Sequence, residues 1–382
     1  MPTVSIKECS EYDKNKIKKL VLESLKEIKF DLKKYRNKKI LLKPNLLGPF
    51  EPKEAITTHP IFMQAVAEIF KKVTNKITIA DSSDQAYGRD DKVLETTGMN
   101  QVAKKLKIKT EMFKAKNIIF LKSEKNQILK QVAIQSEIKN FDLIVNMPKL
   151  KTHMLTGLTG AIKNIFGLVP SYYKREYHIK GNTPKKFSSI LVDIYNVIQP
   201  KLNIIDGIVA LEGDGPSRAG KPIKINVILT SDNAIASDLI AAKILGFENV
   251  LTNQFALERN LIDKKDIKVI GEIKLKNFEK PSHIKQVVAP FVAGLFQKLV
   301  TKRPYVNKNC KKCLTCLKAC PAKAISLKNN NIFINKNKCI LCYCCSELCP
   351  YNAIELKRSW LGKKLINMHD KMFKKVKNGR RK

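Results

Sequence analysis

The chain of 382 residues has no apolar run long enough to cross a bilayer. Its longest, Val287 to Phe296, is broken by Pro290 and Gly294 and reaches about half of the ~20 residues a membrane helix needs. The opening segment, MPTVSIKECSEYDK, has no charged stretch leading into an apolar one, so a cytoplasmic location is expected. Acidic residues are scarce: 34 Asp and Glu stand against 72 Lys and Arg, leaving a net charge of +38. Such a charge favours acidic partners. Arginine is scarce as well, with nine residues, whereas nucleic-acid readers usually rely on Arg forks. The charge is therefore read mainly as a drift towards Lys, Ile and Asn, and nucleic-acid binding is the least favoured reading. Neither GxGxxG opening a first βα unit nor GxxxxGK[ST] occurs, so nothing supports nicotinamide, flavin or ATP binding by the familiar loops. Outside Cys310 to Cys349 the only cysteine is Cys9, which excludes a disulfide framework spread over the fold.

What is present is first an alternation of β-branched runs and helix-period segments through the first 270 or so residues, the pattern of βα units around a parallel sheet. Strands are expected at Lys39 to Leu42, Lys76 to Ala80, Phe141 to Asn146, Leu202 to Asp206, Ile225 to Thr230 and Ile267 to Ile270. Helices are expected at Lys16 to Ile28, Pro60 to Val73, Asp91 to Leu106, Lys186 to Ile198 and Asn233 to Leu245. The expected fold class is α/β, a mostly parallel sheet with helices on both faces, plus a small α+β ferredoxin-like domain. Four segments follow: an α/β domain at 1–280, a linker helix at 281–304, the Cys-rich module at 305–356 and a basic tail at 357–382. In the tail, Leu361, Leu365, Met368, Met372 and Val376 make one apolar face amid eleven Lys and Arg. That face can pack on the body of the protein, lie peripherally on an anionic membrane, or meet a partner.

The strongest signal is Cys310-x2-Cys313-x2-Cys316-x3-Cys320-Pro321, repeated 29 residues later as Cys339-x2-Cys342-x2-Cys345-x3-Cys349-Pro350. Ala324-Ile325 and Leu327 recur as Ala353-Ile354 and Leu356, so the repeat is a structural unit, with a short hairpin expected between its halves. Three thiolates on one tight loop take three corners of a cubane, and the fourth reaches across the pseudo-twofold. Two [4Fe–4S] clusters are expected, one on Cys310, Cys313, Cys316 and Cys349, the other on Cys339, Cys342, Cys345 and Cys320. Zinc, the competing metal for CxxC pairs, does not match two full copies closed by Cys-Pro. The spacing closely resembles a bacterial-type two-cluster ferredoxin domain. Cys344, between ligands, reads as a packed thiol, and Cys9 as a small core residue. Eight Lys against two acids from Pro304 to Leu356 suit an acidic electron carrier such as a ferredoxin or flavodoxin.

In open parallel sheets ligands sit beyond the carboxyl ends of the strands. Five strands are expected to end in polar sets, carrying Lys43 and Asn45, Asp81 and Ser82, Lys149, Lys151 and His153, Asp206 with the Glu212 to Pro216 loop, and Asp232. Together with Lys163 and Asn164 after the TGLTG glycines, these would bind an anionic small molecule; a solvated lysine loop is the competing reading. His153 is the candidate acid/base, its cationic neighbours favouring the neutral form. His59 before Pro60 is either a second catalytic candidate or an ordinary cap.

The order LLKPN, TTHP, IADSS, NMPKLKTH, TGAIKNIFG, IDGIVALEGDGP, SDNAIASD, CILCYCCSELCP and LKRSWLG resembles a widespread prokaryotic family, domain of unknown function three-six-two, often fused to a ferredoxin module. Members usually carry Gly where this chain has Ala80. The resemblance implies an iron–sulfur protein with an unassigned substrate domain. Two functions compete: a redox enzyme whose module relays electrons to the mouth, and a non-catalytic electron-transfer or assembly protein that binds a partner or a cofactor precursor.

Overall fold

The computed structural model describes residues 1–82, 90–114, 117–281, 302–361 and 364. The strands of the large domain are β1 (Thr3–Glu8), β2 (Ile40–Lys43), β3 (Ile77–Asp81), β4 (Lys109–Met112), β5 (Ile118–Lys122), β6 (Gln131–Gln135), β7 (Leu143–Asn146), β8 (Lys149–His153), β9 (Gly157–Thr159), β10 (Leu202–Gly213), β11 (Gly220–Ser231) and β12 (Lys268–Ile270). Its helices are α1 (Lys14–Glu27), α2 (Pro60–Lys71), α3 (Asp90–Thr96), α4 (Met99–Leu106), α5 (Ala161–Asn164), α6 (Ser171–Lys180), α7 (Pro184–Ile198), α8 (Ala234–Ile244) and α9 (Leu251–Glu258). The small domain adds β13 (Arg303–Val306), β14 (Ile325–Lys328), β15 (Asn331–Ile334), β16 (Ile354–Lys357) and short helices α10 (Thr315–Ala319) and α11 (Cys344–Glu347).

The main sheet runs β12-β1-β11-β10-β7-β2-β3-β4. Neighbours from β10 to β4 are parallel, while β11 is antiparallel to both β1 and β10. Side chains alternate across the pleat, so Ile40, Leu42, Ile77, Ile79 and Val145 enter a core with α1, α2 and α4. Leu41 and Ala80 point the other way, into a core with α6, α7 and α9. Helices thus cover both faces. Cys9 is buried in the first core, as expected of a small apolar residue.

Several elements depart from the sequence reading. The helix expected from Asp91 to Leu106 is broken in two because Gly98 takes a left-handed φ of 77°. The run expected to end at Asp206 continues to Gly213 as one long strand, so Asp206 is internal. Lys149 to His153, expected as a polar strand end, forms a strand of its own that pairs with β10 and turns back through β9. The short hairpin expected between the cysteine halves is β14 with β15. Most of the expected linker helix and of the basic tail lies outside the described residues. Among those described, no helix is long and apolar enough to cross a membrane.

A buried ion pair fixes the second core. Arg259 Nη1 meets Asp193 Oδ1 at 2.7 Å, both side chains almost wholly covered, and the Asp193 carboxylate also accepts the backbone N–H groups of Gln127, Ile128 and Leu129. Replacing Arg259 by Met leaves that carboxylate uncompensated. Chemical unfolding should show a loss of about 3–5 kcal/mol; a change below ~1 kcal/mol would mean that the pair does not hold α7, α9 and the 126–129 loop together.

Candidate functional site

At the carboxyl ends of the parallel strands, the register sets Lys43 beside Asn146, and Asn146 beside Asn203. Lys43 Nζ lies 2.8 Å from Asp81 Oδ1 in a fully buried pair. Asp81 also accepts the N–H groups of Leu46 and Ser82. Gly167 approaches so closely that a Cβ there would lie 2.6 Å from Lys43 Nζ, so only glycine lets that loop close over the pair. Asn164 Nδ2 donates to Asn146 Oδ1 at 2.8 Å and Asn45 Nδ2 to Asn164 Oδ1 at 2.9 Å, a row of amides that joins the ends of β2 and β7 through α5.

A pocket of about 720 Å³, partly open to solvent, lies above this row. Asn45, Asp81, Ser82, Lys163 and Asn164 line it from the large domain, joined by Lys174, Arg175 and His178 of α6. The opposite wall belongs to the small domain: Ala319, Pro321, Cys344, Glu347 and Leu348. Lys163 Nζ rests 5.0 Å from the centre of the Phe166 ring, and burial holds its pKa down while the Glu347 carboxylate pulls it up. Lys174 donates to the Ser82 carbonyl and hydroxyl at 2.9 and 2.7 Å. Two buried atoms of the lining residues, Asn45 Oδ1 and His178 Nδ1, have no hydrogen-bond partner among the described residues. Burial pushes His178 down to about 3, so its ring is neutral.

Other expected site residues lie elsewhere. Lys149 is buried against Asp206 at 2.9 Å and shares Tyr12, whose hydroxyl donates to the same carboxylate. His59 caps α2, its Nδ1 accepting the Ile61 N–H, and stacks on Tyr12 at 3.7 Å. Lys151 is buried with its Nζ on the Ile56 carbonyl at 2.6 Å. Asp232 does not line the pocket: it follows β11, two strands away from β7, and accepts the Thr3 N–H of β1 in an exposed position. Nor do the amides that open α5 await an anion, because Asp238 already accepts the N–H groups of Ala161 and Ile162.

His153 stands behind the pocket wall. Its Nδ1 accepts from Leu155 and Thr156, which leaves the proton on Nε2, 3.6 Å from Glu347 Oε1. Burial, reinforced by Lys163 and Lys151, holds it well below the usual imidazole range. Lys174, Arg175, His178 and Glu347 were not singled out from sequence. The one available signal was the four-residue spacing of Lys174 and His178, which puts them on one face of α6.

The small domain is held over the mouth by named contacts. The Arg218 guanidinium grips the Glu54 carboxylate at 2.5 and 3.0 Å, donates to the Pro350 carbonyl, and lies over the Phe50 ring. Lys302 meets Asp214 at 2.7 Å, so the Glu212 to Pro216 loop serves the domain contact. Leu47 packs against Ala319 and Leu348.

Inside that domain the cysteines surround two separate cavities. Cys310, Cys313, Cys316 and Cys349 line one of about 300 Å³, and Cys320, Cys339, Cys342 and Cys345 line another of about 330 Å³. Each foursome draws its last cysteine from the other half of the repeat. Four soft thiol donors around a small cavity suit an iron–sulfur cubane. Among the described residues no three His, Cys, Asp or Glu side chains are gathered for a single ion.

Fold and cysteine cavities together define an iron–sulfur protein whose ferredoxin-type domain sits over the carboxyl ends of the parallel strands of an open α/β sheet. The chain matches the family described as "Domain of unknown function (DUF362)" over residues 40–243, and a 4Fe-4S dicluster domain over 304–350. It belongs to that family and carries a 4Fe-4S electron-transfer domain. A thylakoid-associated protein of Synechocystis sp. is 30% identical over 224 residues, covering 58% of this chain and 68% of that protein. The lactate racemase apoprotein of Thermoanaerobacterium thermosaccharolyticum superposes with a TM-score of 0.40 at 13% identity, over 62% of this chain and 56% of its own.

Lys151 offers a test of the electrostatics. Its folded pKa is pushed down to about 7, chiefly by burial, from 10.5. The folded state therefore pays for a buried charge below pH 7, and the cost is relieved as pH rises towards 10.5. Lys151→Met should raise Tm relative to the parent at pH 6 to 7, with the advantage shrinking by pH 10. A Tm difference constant across that range would contradict the burial of a titrating ammonium.

Proposed function

We propose that this chain is a redox enzyme in which two [4Fe–4S] clusters relay electrons between a carrier protein and an anionic small molecule held at the strand-end mouth. The reading is carried by one observation: a single pocket has the strand-end residues on one wall and, on the other, residues adjoining the cysteines Cys320, Cys345 and Cys349. Cys310, Cys313, Cys316 and Cys349 would hold one cluster, and Cys339, Cys342, Cys345 and Cys320 the second. When bound, these groups supply one-electron transfer.

The chain's own residues would do the rest. Lys43 and Lys149 are neutralised by Asp81 and Asp206, whereas Lys163 meets no carboxylate within ion-pair distance among the described residues. Lys163, Lys174 and Arg175 would bind the anion, and Asn45, with its unpartnered Oδ1, would accept from a hydroxyl or protonated group of the same ligand. Phe166 and the Leu47 contact keep water from one side. His153 holds a proton on Nε2 towards Glu347, and this pair is the proposed route for a proton to the pocket wall. Lys149 and Lys151 anchor β8 to Asp206 and the Ile56 carbonyl, His59 caps α2, and none of the three would touch the ligand. The proposed domains are the α/β body at 1–280 and the module at 305–356, in a cytoplasmic setting.

Two measurements test this. Anaerobic iron and sulfide analysis should give about eight of each per chain, and Cys349→Ala should lose the cluster of Cys310 while sparing that of Cys339; loss in the uncrossed pattern would contradict the assignment. Oxalate, malate and phosphate should be screened by thermal shift: an anion at ~100 times its Kd adds about 2.7 kcal/mol of stability. Lys163→Met should abolish that shift with cluster absorbance unchanged, and an undiminished shift would remove the pocket from the account.

A further inference from the structure

The two halves of the Cys-rich repeat are related by 29 residues, yet matching positions carry opposite chemistry. Lys311 and Lys312 correspond to Ile340 and Leu341, and Lys318 to Glu347. In the second half Glu347 faces His153 and lines the pocket, and Ile340 and Leu341 are half-buried. In the first half Lys308, Lys311, Lys312 and Lys318 are exposed, and Cys313 is the one exposed cysteine of the module. From Lys308 to Lys318 there is no acidic residue, and among the described residues none of these four lysines meets a carboxylate. Tyr351, 45% exposed, lines the same cavity as Cys310 and Cys313. None of these residues lines the pocket at the mouth.

We propose that this face, Lys308, Lys311 and Lys312 around Cys313 with Tyr351 beside them, is the docking surface for an acidic one-electron carrier protein. The proposal rests on the redox reading above and gives the module a direction: the Cys313 side meets the carrier, the Cys344–Leu348 side meets the small molecule. Charge complementarity argues for the occupant. A patch of lysines without counter-charges steers an acidic protein and sets its orientation, and an exposed aromatic supplies the apolar contact that steering alone lacks. The cations surround the place where a cluster cysteine reaches solvent, which is where a carrier needs the shortest path. Transfer balances as one electron lost by the carrier and one gained by the module, with no bond made or broken.

The test uses the reconstituted full-length chain and an acidic plant-type [2Fe–2S] ferredoxin, both oxidised, with Kd measured by calorimetry at ~20 and ~200 mM salt. Affinity should fall at least tenfold with salt. The triple variant Lys308→Glu, Lys311→Glu, Lys312→Glu should weaken binding at least tenfold at low salt with iron content and visible spectrum unchanged. Lys338→Glu, an exposed change near the second cysteine set, should leave Kd within twofold. An unchanged Kd in the triple variant, an equal loss with Lys338→Glu, or loss of poly(U) RNA binding while ferredoxin binding survives would each overturn the proposal. Because binding is read without turnover or any small molecule, failure of the redox-enzyme reading, seen as no anion-dependent reoxidation of the reduced module, is a separate result.

Discussion

Burying an ammonium group costs several kcal/mol unless a counter-charge is buried with it, and this sheet buries three of them, one on β2 and two on β8. Lys43 has Asp81 and Lys149 has Asp206. Lys151 has only a backbone carbonyl, and Lys163 beside the pocket has aromatic faces. Among the described residues neither Lys151 nor Lys163 has a carboxylate within ion-pair distance. Glu347, brought by the ferredoxin-type domain, is the nearest source of compensation, raising the proton affinity of both Lys151 and Lys163. Docking of that domain and the electrostatics of the mouth are thus one problem, and an anionic ligand would answer what Glu347 leaves unmatched.

The same constraint orders the neighbouring structure. Gly167 must lack a side chain for its loop to seal the Lys43–Asp81 pair, and Asp238 is spent on the amides at the start of α5, which keeps the Lys163–Asn164 segment against the strand ends. Arg218 ties the domain contact to Glu54 and Pro350, so the position of Glu347 depends on a clamp outside the pocket. Catalytic geometry, in the proposed enzyme, would follow from how firmly one domain is held on the other.

Much of the fold was legible because β-branched runs and helix periodicity are local signals: β2, β3, β7 and β12 and helices α1, α2, α7 and α8 fall within a few residues of their expected places, whereas β1 was not expected. The cysteine cavities were legible too, since ligand spacing encodes a three-dimensional loop. Strand direction was not. Ile225 to Thr230 reads the same whether it runs up or down the sheet, and nothing local tells that Asp232 faces β1 and not the pocket. The contribution of α6 was hidden for a related reason: only Ser171 and Tyr177 are buried on that helix, so YYKREYHIK has little periodicity, and what brings Lys174, Arg175 and His178 to the pocket is tertiary packing. Glu347 could not be paired with His153 from sequence because nearly two hundred residues and a domain boundary separate them.

In the proposed enzyme the ferredoxin-type domain forms one wall of the site. The most direct measurement is a crystal structure of the fully reconstituted chain, grown anaerobically with whichever anion gives the largest thermal shift. Glu347 is expected within about 4 Å of His153, with ordered anion density between Lys163 and the Cys344–Leu348 segment. Fully occupied clusters in a domain swung clear of the mouth, with Glu347 in solvent and the anion bound elsewhere, would contradict it.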